Sequence, residues 1–196
     1  MPTGVALRDP RRQLFDAAAR VLVRDGASEL TSRSVTAEAG VAKGVLHRHF
    51  ADFDAFLTEL VLERIAQVED QAEALRNATG TVVDNLTSAL TTGFDPVAVS
   101  IVVLVIARDE LRRRLREAGT AHFPLVGEFT AVVAGYLAAE RDRGRIAPDA
   151  DVDVLAPTVI GAAHLQFTEQ QGGPAAAEAV RKVVTTVLAG VTTAQR

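Results

Sequence analysis

From Pro10 onward the apolar residues Leu14, Ala17, Ala18, Val21 and Leu22 recur at intervals of three and four, which places them on one stripe of a helix. Asp9 ahead of Pro10 predicts where that helix begins. A carboxylate at the N-cap accepts backbone N–H groups, and proline at the first helical position gives up an N–H that has no helical partner anyway. Asp25-Gly26 predicts its end. The same device recurs at Asp95-Pro96, ahead of the run Val97 to Ala107. The Val and Ile content of that run favours a strand, but the capping device and the helical continuation from Arg108 to Glu117 decide for helix. Between them, Phe53, Phe56, Leu57, Leu60, Val61, Ile65 and Val68 hold a helical period from Asp52 to about Arg76. Further helices are expected over about Phe123 to Asp142, Asp151 to Gln170 and Ala175 to Thr192. Gly119, the Arg143-Gly144-Arg145 and Pro148-Asp149 turn, and Gly172-Gly173-Pro174 separate them. No stretch alternates in the manner of a strand, and there is no internal repeat. The pattern predicts an all-α chain of about nine helices.

Residues 31–50, TSRSVTAEAGVAKGVLHRHF, are the most informative stretch. Two short helices are expected, Ser32 to Ala39 and Ala42 to His49, around Gly40, which permits the positive φ of a tight turn. Val35, Ala39, Val41 and Leu46 sit at the offsets by which two helices of a helix-turn-helix pack at a steep angle, with Thr36 at the close crossing. If the second helix lies in a DNA major groove, Ala42, Lys43, Gly44, Val45, His47 and Arg48 are exposed on it. Side chains near its N-terminal end would then read base edges. The first turns of both helices point backbone N–H groups at phosphates, which brings in Thr31, Ser32 and Arg33. Two short helices around a glycine also occur in many helical proteins that bind no DNA.

Composition narrows the classes further. In a chain of 196 residues, 48% hydrophobic and 23% charged, there is enough apolar material for a sizeable core, which argues against intrinsic disorder. With no cysteine there is no disulfide framework, no thiolate zinc site and no thiol catalysis. Met1 to Asp9 has no apolar core of a signal peptide, and the longest apolar run, Ile101 to Ala107, is far short of the ~20 residues of a bilayer span. A cytoplasmic protein with no membrane partner is expected. The net charge of -4 is uneven: residues 1–50 carry 8 Lys and Arg against 5 Asp and Glu, and the remainder carries 13 against 20. A basic head on an acidic body suits a chain whose head alone meets a polyanion.

The Leu30-Thr31 lead, the Glu38-Ala39-Gly40-Val41-Ala42-Lys43-Gly44 turn and the Arg48-His49-Phe50 end give residues 8–65 a close likeness to one known head. This segment resembles the DNA-binding head of the TetR family of bacterial transcriptional regulators. The stretch Gly144-Arg145-Ile146, Pro148-Asp149 and Asp151-Val152-Asp153 is similar to the link between that family's last two dimerisation helices. The resemblance implies two domains, a helix-turn-helix DNA-binding head over 1–51 and a ligand-binding and dimerisation body over 52–196. It implies a homodimeric repressor on a palindromic operator in double-stranded DNA, released by a small hydrophobic or amphipathic effector. Lys43 stands where the family grips a phosphate, and His49 is a further phosphate candidate. The chain departs from the family pattern at Val45, where threonine or serine is usual, at His47, where tyrosine is usual, and at Phe53, where a lysine usually holds the backbone.

For the effector pocket the expected lining is Phe94, Ile101, Val105, Phe123, Phe129 and Phe167, with His122 and His164 as polar points. For the dimer seam the expected residues are Val126, Val133 and Leu137 on one helix, with Thr158, Gly161, Ala162 and Leu165 on the next, where small side chains let a partner helix approach. The run Arg112 to Arg116 lies beside Asp109, Glu110 and Glu117 and reads as a solvated, ion-paired face. His47 and His49, two apart, point to different faces, so no metal site is expected there. No cofactor is expected, and no constellation of acid, base or nucleophile marks an enzyme. Two rival readings remain open at this level. One is a DNA-binding dimer blind to ligands, in an architectural role; the other is a small-molecule binder with a vestigial head.

Overall fold

A computed structural model describes residues 9–170 and 174–193, with ten α-helices among them. Both aspartate–proline devices work as expected. Asp9 accepts the N–H groups of Arg11 and Arg12 at 3.0 and 3.2 Å and opens α1 (Pro10–Asp25), whose buried stripe is Leu14, Ala17, Ala18, Val21 and Leu22. After a 3-10 turn at Ala27–Glu29 come α2 (Ser32–Glu38) and α3 (Gly44–His49), with Gly40 between them at φ +67°. Thr31 caps α2 through a reciprocal pair with Ser34. Thr36 is 3% exposed, and its hydroxyl donates to the Ser32 carbonyl at 2.8 Å, which lets a threonine occupy the tight crossing without an orphaned donor.

The long helix α4 (Phe53–Arg76) leaves the head and runs into the body. Phe56, at its start, meets Phe15 and Phe50 at ring centroid distances of 5.5 and 5.0 Å, and Arg11 lies 4.5 Å over the Phe50 ring. The body continues with α5 (Val82–Gly93), α6 (Pro96–Ala107), α7 (Asp109–Glu117), α8 (Val126–Asp142), α9 (Val152–Gln170) and α10 (Pro174–Leu188). Helix α10 packs on α9 and α5, α8 packs on α9 and α4, and α6 packs against α1 and the 3-10 turn of the head.

Several elements differ from the sequence reading: α3 begins at Gly44 rather than Ala42, α10 ends at Leu188 rather than near Thr192, and α5 lies where no helix is expected. The run from Val97 to Glu117 is two helices, because Arg108 takes an extended conformation (φ −125°, ψ 102°) and ends α6. This split, with α5, brings the described helices to ten where about nine are expected. The helix expected from Phe123 begins at Val126 instead: Pro124 precedes it, Leu125 sits at φ +70°, and the Glu128 carboxylate takes the N–H groups of Ala121 and Leu125 at 2.7 and 2.6 Å, locking a turn where a helix was expected. The β-branched run of α6 is helical, its start capped by Asp95, which accepts from the Ala98 amide at 2.8 Å. Among the described residues an isolated bridge, Ile146 with Thr192, is the extent of extended pairing. No single helix there is long and apolar enough to cross a membrane.

Candidate nucleic-acid interface and effector cavity

The helix-turn-helix rests on four buried anchors, Val35, Ala39, Leu46 and Phe50, which leave one face of α2 and α3 to solvent. Lys43, Gly44, His47 and Arg48 are exposed on that face, as are Thr31, Arg33 and Ala42, while Ser32, Val45 and His49 are half-buried. Lys43 is the residue before the first turn of α3, where no side chain caps the helix and the Val45 N–H already donates to the Ala42 carbonyl at 2.9 Å. The Thr31 hydroxyl is spent on Ser34, and the Ser32 hydroxyl is buried without a partner. The His49 carbonyl accepts from the Arg11 guanidinium at 3.1 Å, tying the end of α3 to α1.

The charges of the head divide into two groups. Arg11 pairs with Glu59, Arg12 with Asp16 and Glu63, Arg20 with Glu38, and Arg24 with Asp25 and Glu38. These guanidiniums hold the Glu38 and Asp25 carboxyls below the usual carboxylate range. Arg33, Lys43 and Arg48 have no ion-pair partner among the described residues. Among the described residues of the head, the cations without an ion-pair partner are thus the three on the helix-turn-helix face. Arg8 lies outside the described residues.

Links between head and body converge on the start of α4. Arg114 donates to both carboxylate oxygens of Asp52, the N-cap of α4, at 2.9 and 3.0 Å, and this pair with the Ala55 amide holds the Asp52 carboxyl low. Arg108 donates to the Leu30 carbonyl at 3.2 Å and stands 3.6 Å from Asp54. Arg112 and Arg113 pair along their own helix with Asp109, Glu110 and Glu117, the ion-paired face expected of this run. The reach of Arg114 across to the head is not visible in the sequence, since Asp52 lies 62 residues away.

Four of the expected pocket residues come together in the body. Phe94 is the hub, with Phe129, His164 and Phe167 at ring centroid distances of 5.6, 5.6 and 5.7 Å. The His164 Nδ1 is buried without a partner, and desolvation lowers its affinity for a proton. Ile101 and Val105 are buried on α6. His122 and Phe123 do not join them: both are exposed on the connection from α7 to α8, with Phe123 45% exposed, because the helix that was to carry them inward starts after them. A cavity of about 420 Å³ opens beside the cluster, lined by Phe94, Pro96, Val99, Ser100, Phe167 and Thr168 and, from the head, Val23. The last four positions other than Phe167 carry no sequence signal, since Val23, Val99, Ser100 and Thr168 meet only through long-range packing.

The expected seam divides. Thr158, Gly161 and Leu165 are exposed along α9, Leu165 by 60%, together with Val154 by 58%, and Ala162 and Val126 are half-buried. Val133 and Leu137 are fully buried within the chain and offer nothing to a partner. The larger side chains of α8 turn inward, and Ala131 and Gly135 are its exposed positions short of the terminal Asp142.

Residues 14–60 match the family model described as bacterial regulatory proteins, tetR family. No curated protein matches the sequence. Among solved structures, the chain is similar to one from Mesorhizobium loti described as a TetR-family transcriptional regulator (18% identity, 94% of this chain and 97% of that one, TM-score 0.69). It is similar also to the transcriptional regulator FadR from Bacillus subtilis in complex with stearoyl-CoA (18% identity, 91% and 98%, TM-score 0.68). A third is the multidrug binding protein EbrR complexed with imidazole (23% identity, 92% and 95%, TM-score 0.57). With a helix-turn-helix head that matches the family model over residues 14–60 and a body whose helices follow the same course, the chain has the fold of the TetR-family transcriptional regulators.

Proposed function

We propose that the chain is a homodimeric transcriptional repressor that binds a palindromic operator in double-stranded DNA and is released by a small-molecule effector. The observation that carries the reading is the division of the head's charges. Cations whose purpose is to hold the head together have carboxylate partners, whereas Arg33, Lys43 and Arg48 carry uncompensated charge on the face that a helix-turn-helix presents to DNA. Thr31, Ser32, Ala42, Gly44 and Val45 bring backbone close to the phosphates at the two helix starts, and His47 and His49 add donors. Residues 1–51 act as the DNA-binding unit and 52–196 as the ligand-binding and dimerisation unit.

Dimerisation through α9 is supported by its exposed stripe of Val154, Thr158, Gly161 and Leu165, spaced four, three and four, with Ala162 beside it. A dimer sets two α3 helices about one DNA turn apart, ~34 Å or a near multiple. The ring cluster around Phe94 and the adjoining cavity support an effector site in the body. Gel-shift titration on cognate and scrambled duplexes tests the docking: Lys43→Ala weakens binding to both alike, and Arg33→Ala changes the preference between them. Unchanged affinities for Lys43→Ala would refute it.

A further inference from the structure

The cavity beside Phe94 differs from the interior of the body in one respect: one of its walls belongs to the head. Val23, near the end of α1, faces Phe94 and Pro96 at the α5–α6 junction, Val99 and Ser100 on α6, and Phe167 and Thr168 on α9. Val23 is 49% exposed, and Val103 and Ile106, which follow Val99 at helical spacing on α6, are 51% and 53% exposed. A half-exposed valine in the head thus stands at the mouth of a space whose floor is two phenylalanine rings 5.7 Å apart.

The lining also states what it does not accept. No charged side chain is among the described residues of the cavity wall, and its side-chain polar atoms are two hydroxyls whose protons are committed to their own helices. Ser100 Oγ donates to the Pro96 carbonyl, and Thr168 Oγ1 to the His164 carbonyl. A carboxylate or phosphate placed there would lose its hydration with no free donor to replace it. The paired rings favour an aromatic face over an alkyl chain, by offset or edge-on packing. The volume, about 420 Å³, is that of a site for a compound of drug-like size.

Position gives occupancy a consequence. Asp95 lies between two wall residues, Phe94 and Pro96. Its carboxylate caps α6 and pairs with Arg64 of α4, the helix that joins head to body. We propose that this cavity is a binding site for a small uncharged aromatic compound, which touches α1 of the head and α6 and α9 of the body at once. Bound there, the compound sets the angle between the two directly, next to the Arg64–Asp95 grip on α4. The proposal rests on the reading of the body as a ligand-binding unit and specifies its ligand.

The test uses the full chain and N-phenyl-1-naphthylamine, an uncharged aromatic that fluoresces on leaving water. The probe is expected to bind saturably, and Val23→Glu and Thr168→Glu, each at an exposed position, to weaken it about tenfold or more by placing a charge beside the paired rings. Ala131→Glu, in the larger groove of about 540 Å³ between α4 and α8, should leave binding as it was. Far-UV circular dichroism of each variant establishes that it is folded. Saturable binding that survives Val23→Glu, or that Ala131→Glu abolishes, places the probe elsewhere and overturns the proposal. Displacement by stearoyl-CoA overturns the uncharged class. Exclusion of the probe by a self-association that Val23→Glu disrupts makes the face a contact between copies, which also overturns it. None of these measurements involves DNA, so a failure here leaves the repressor reading standing, and a chain that binds the probe but no duplex separates the two the other way.

Discussion

The separation of paired from free cations makes a quantitative prediction about salt. In a dimer, Arg33, Lys43 and Arg48 of both chains make six free cations facing the duplex. If each neutralises one phosphate, log Kobs falls against log salt with a slope of about −5, at about 0.9 per contact. That slope corresponds to a loss of roughly a thousandfold in affinity between 50 and 200 mM salt. Lys43→Ala removes two of the six, so its slope should be shallower by about 2, with the curves converging at high salt. Arg24→Ala is the matched control. Its charge is engaged by Asp25 and Glu38, 2.8 and 2.7 Å away, and its slope should stay within about half a unit of the parent. Fluorescence anisotropy of a labelled duplex, titrated at five or more salt concentrations, gives both slopes. If Lys43→Ala kept the parental slope while Arg24→Ala lost two units, the assignment of the DNA face from unpaired charge would be wrong.

Three further outcomes follow from the packing. Phe94→Ala removes the hub of the ring cluster and should cost about 3–5 kcal/mol of stability, read as a lowered midpoint in urea; a loss under about 1 kcal/mol would mean the cluster is loosely packed. Burial holds the His164 imidazole below its ordinary proton affinity, so the unfolded chain takes up that proton first. Stability is then complete above the free histidine range near pH 6.5 and declines as pH falls through it, and His164→Leu should flatten that part of the profile in thermal melts; a parental slope in the variant would contradict the burial argument. Leu165→Asp places a charge at an exposed position of the α9 stripe and should shift sedimentation from dimer toward monomer without lowering helicity, whereas an unaltered dimer would move the seam off α9.

What the sequence made legible was local. Asp9-Pro10, Asp95-Pro96 and Gly40 act within one turn of themselves, so the reading from residue type to backbone geometry needs no tertiary knowledge. The caps even outweighed the β-branched content of Val97–Ala107. The start of α8 was misplaced because Leu125 at φ +70° and the grip of Glu128 on Ala121 are held by a turn that no propensity announces. Val133 and Leu137 lie inside the chain rather than at a seam: a helical period identifies a shared face without saying whether that face turns toward its own chain or a partner. Here the large residues turn inward and Ala131 and Gly135 outward. Arg114 illustrates the same boundary: its pairs within α7 follow from spacing, and its pair with Asp52 follows only from how α7 packs on α4. The shared cavity wall of Val23, on a helix that otherwise reads as part of the head alone, has the same origin.

The account stands on α3 as a recognition helix presented twice by a symmetric dimer. Selection of bound duplexes from a random pool tests this most directly. The account predicts enrichment of a palindrome whose half-site centres lie about one helical turn or a near multiple apart, ~34 Å or its multiple. A pool that shows no enrichment at low salt, or that converges on a single site without twofold symmetry, would contradict it.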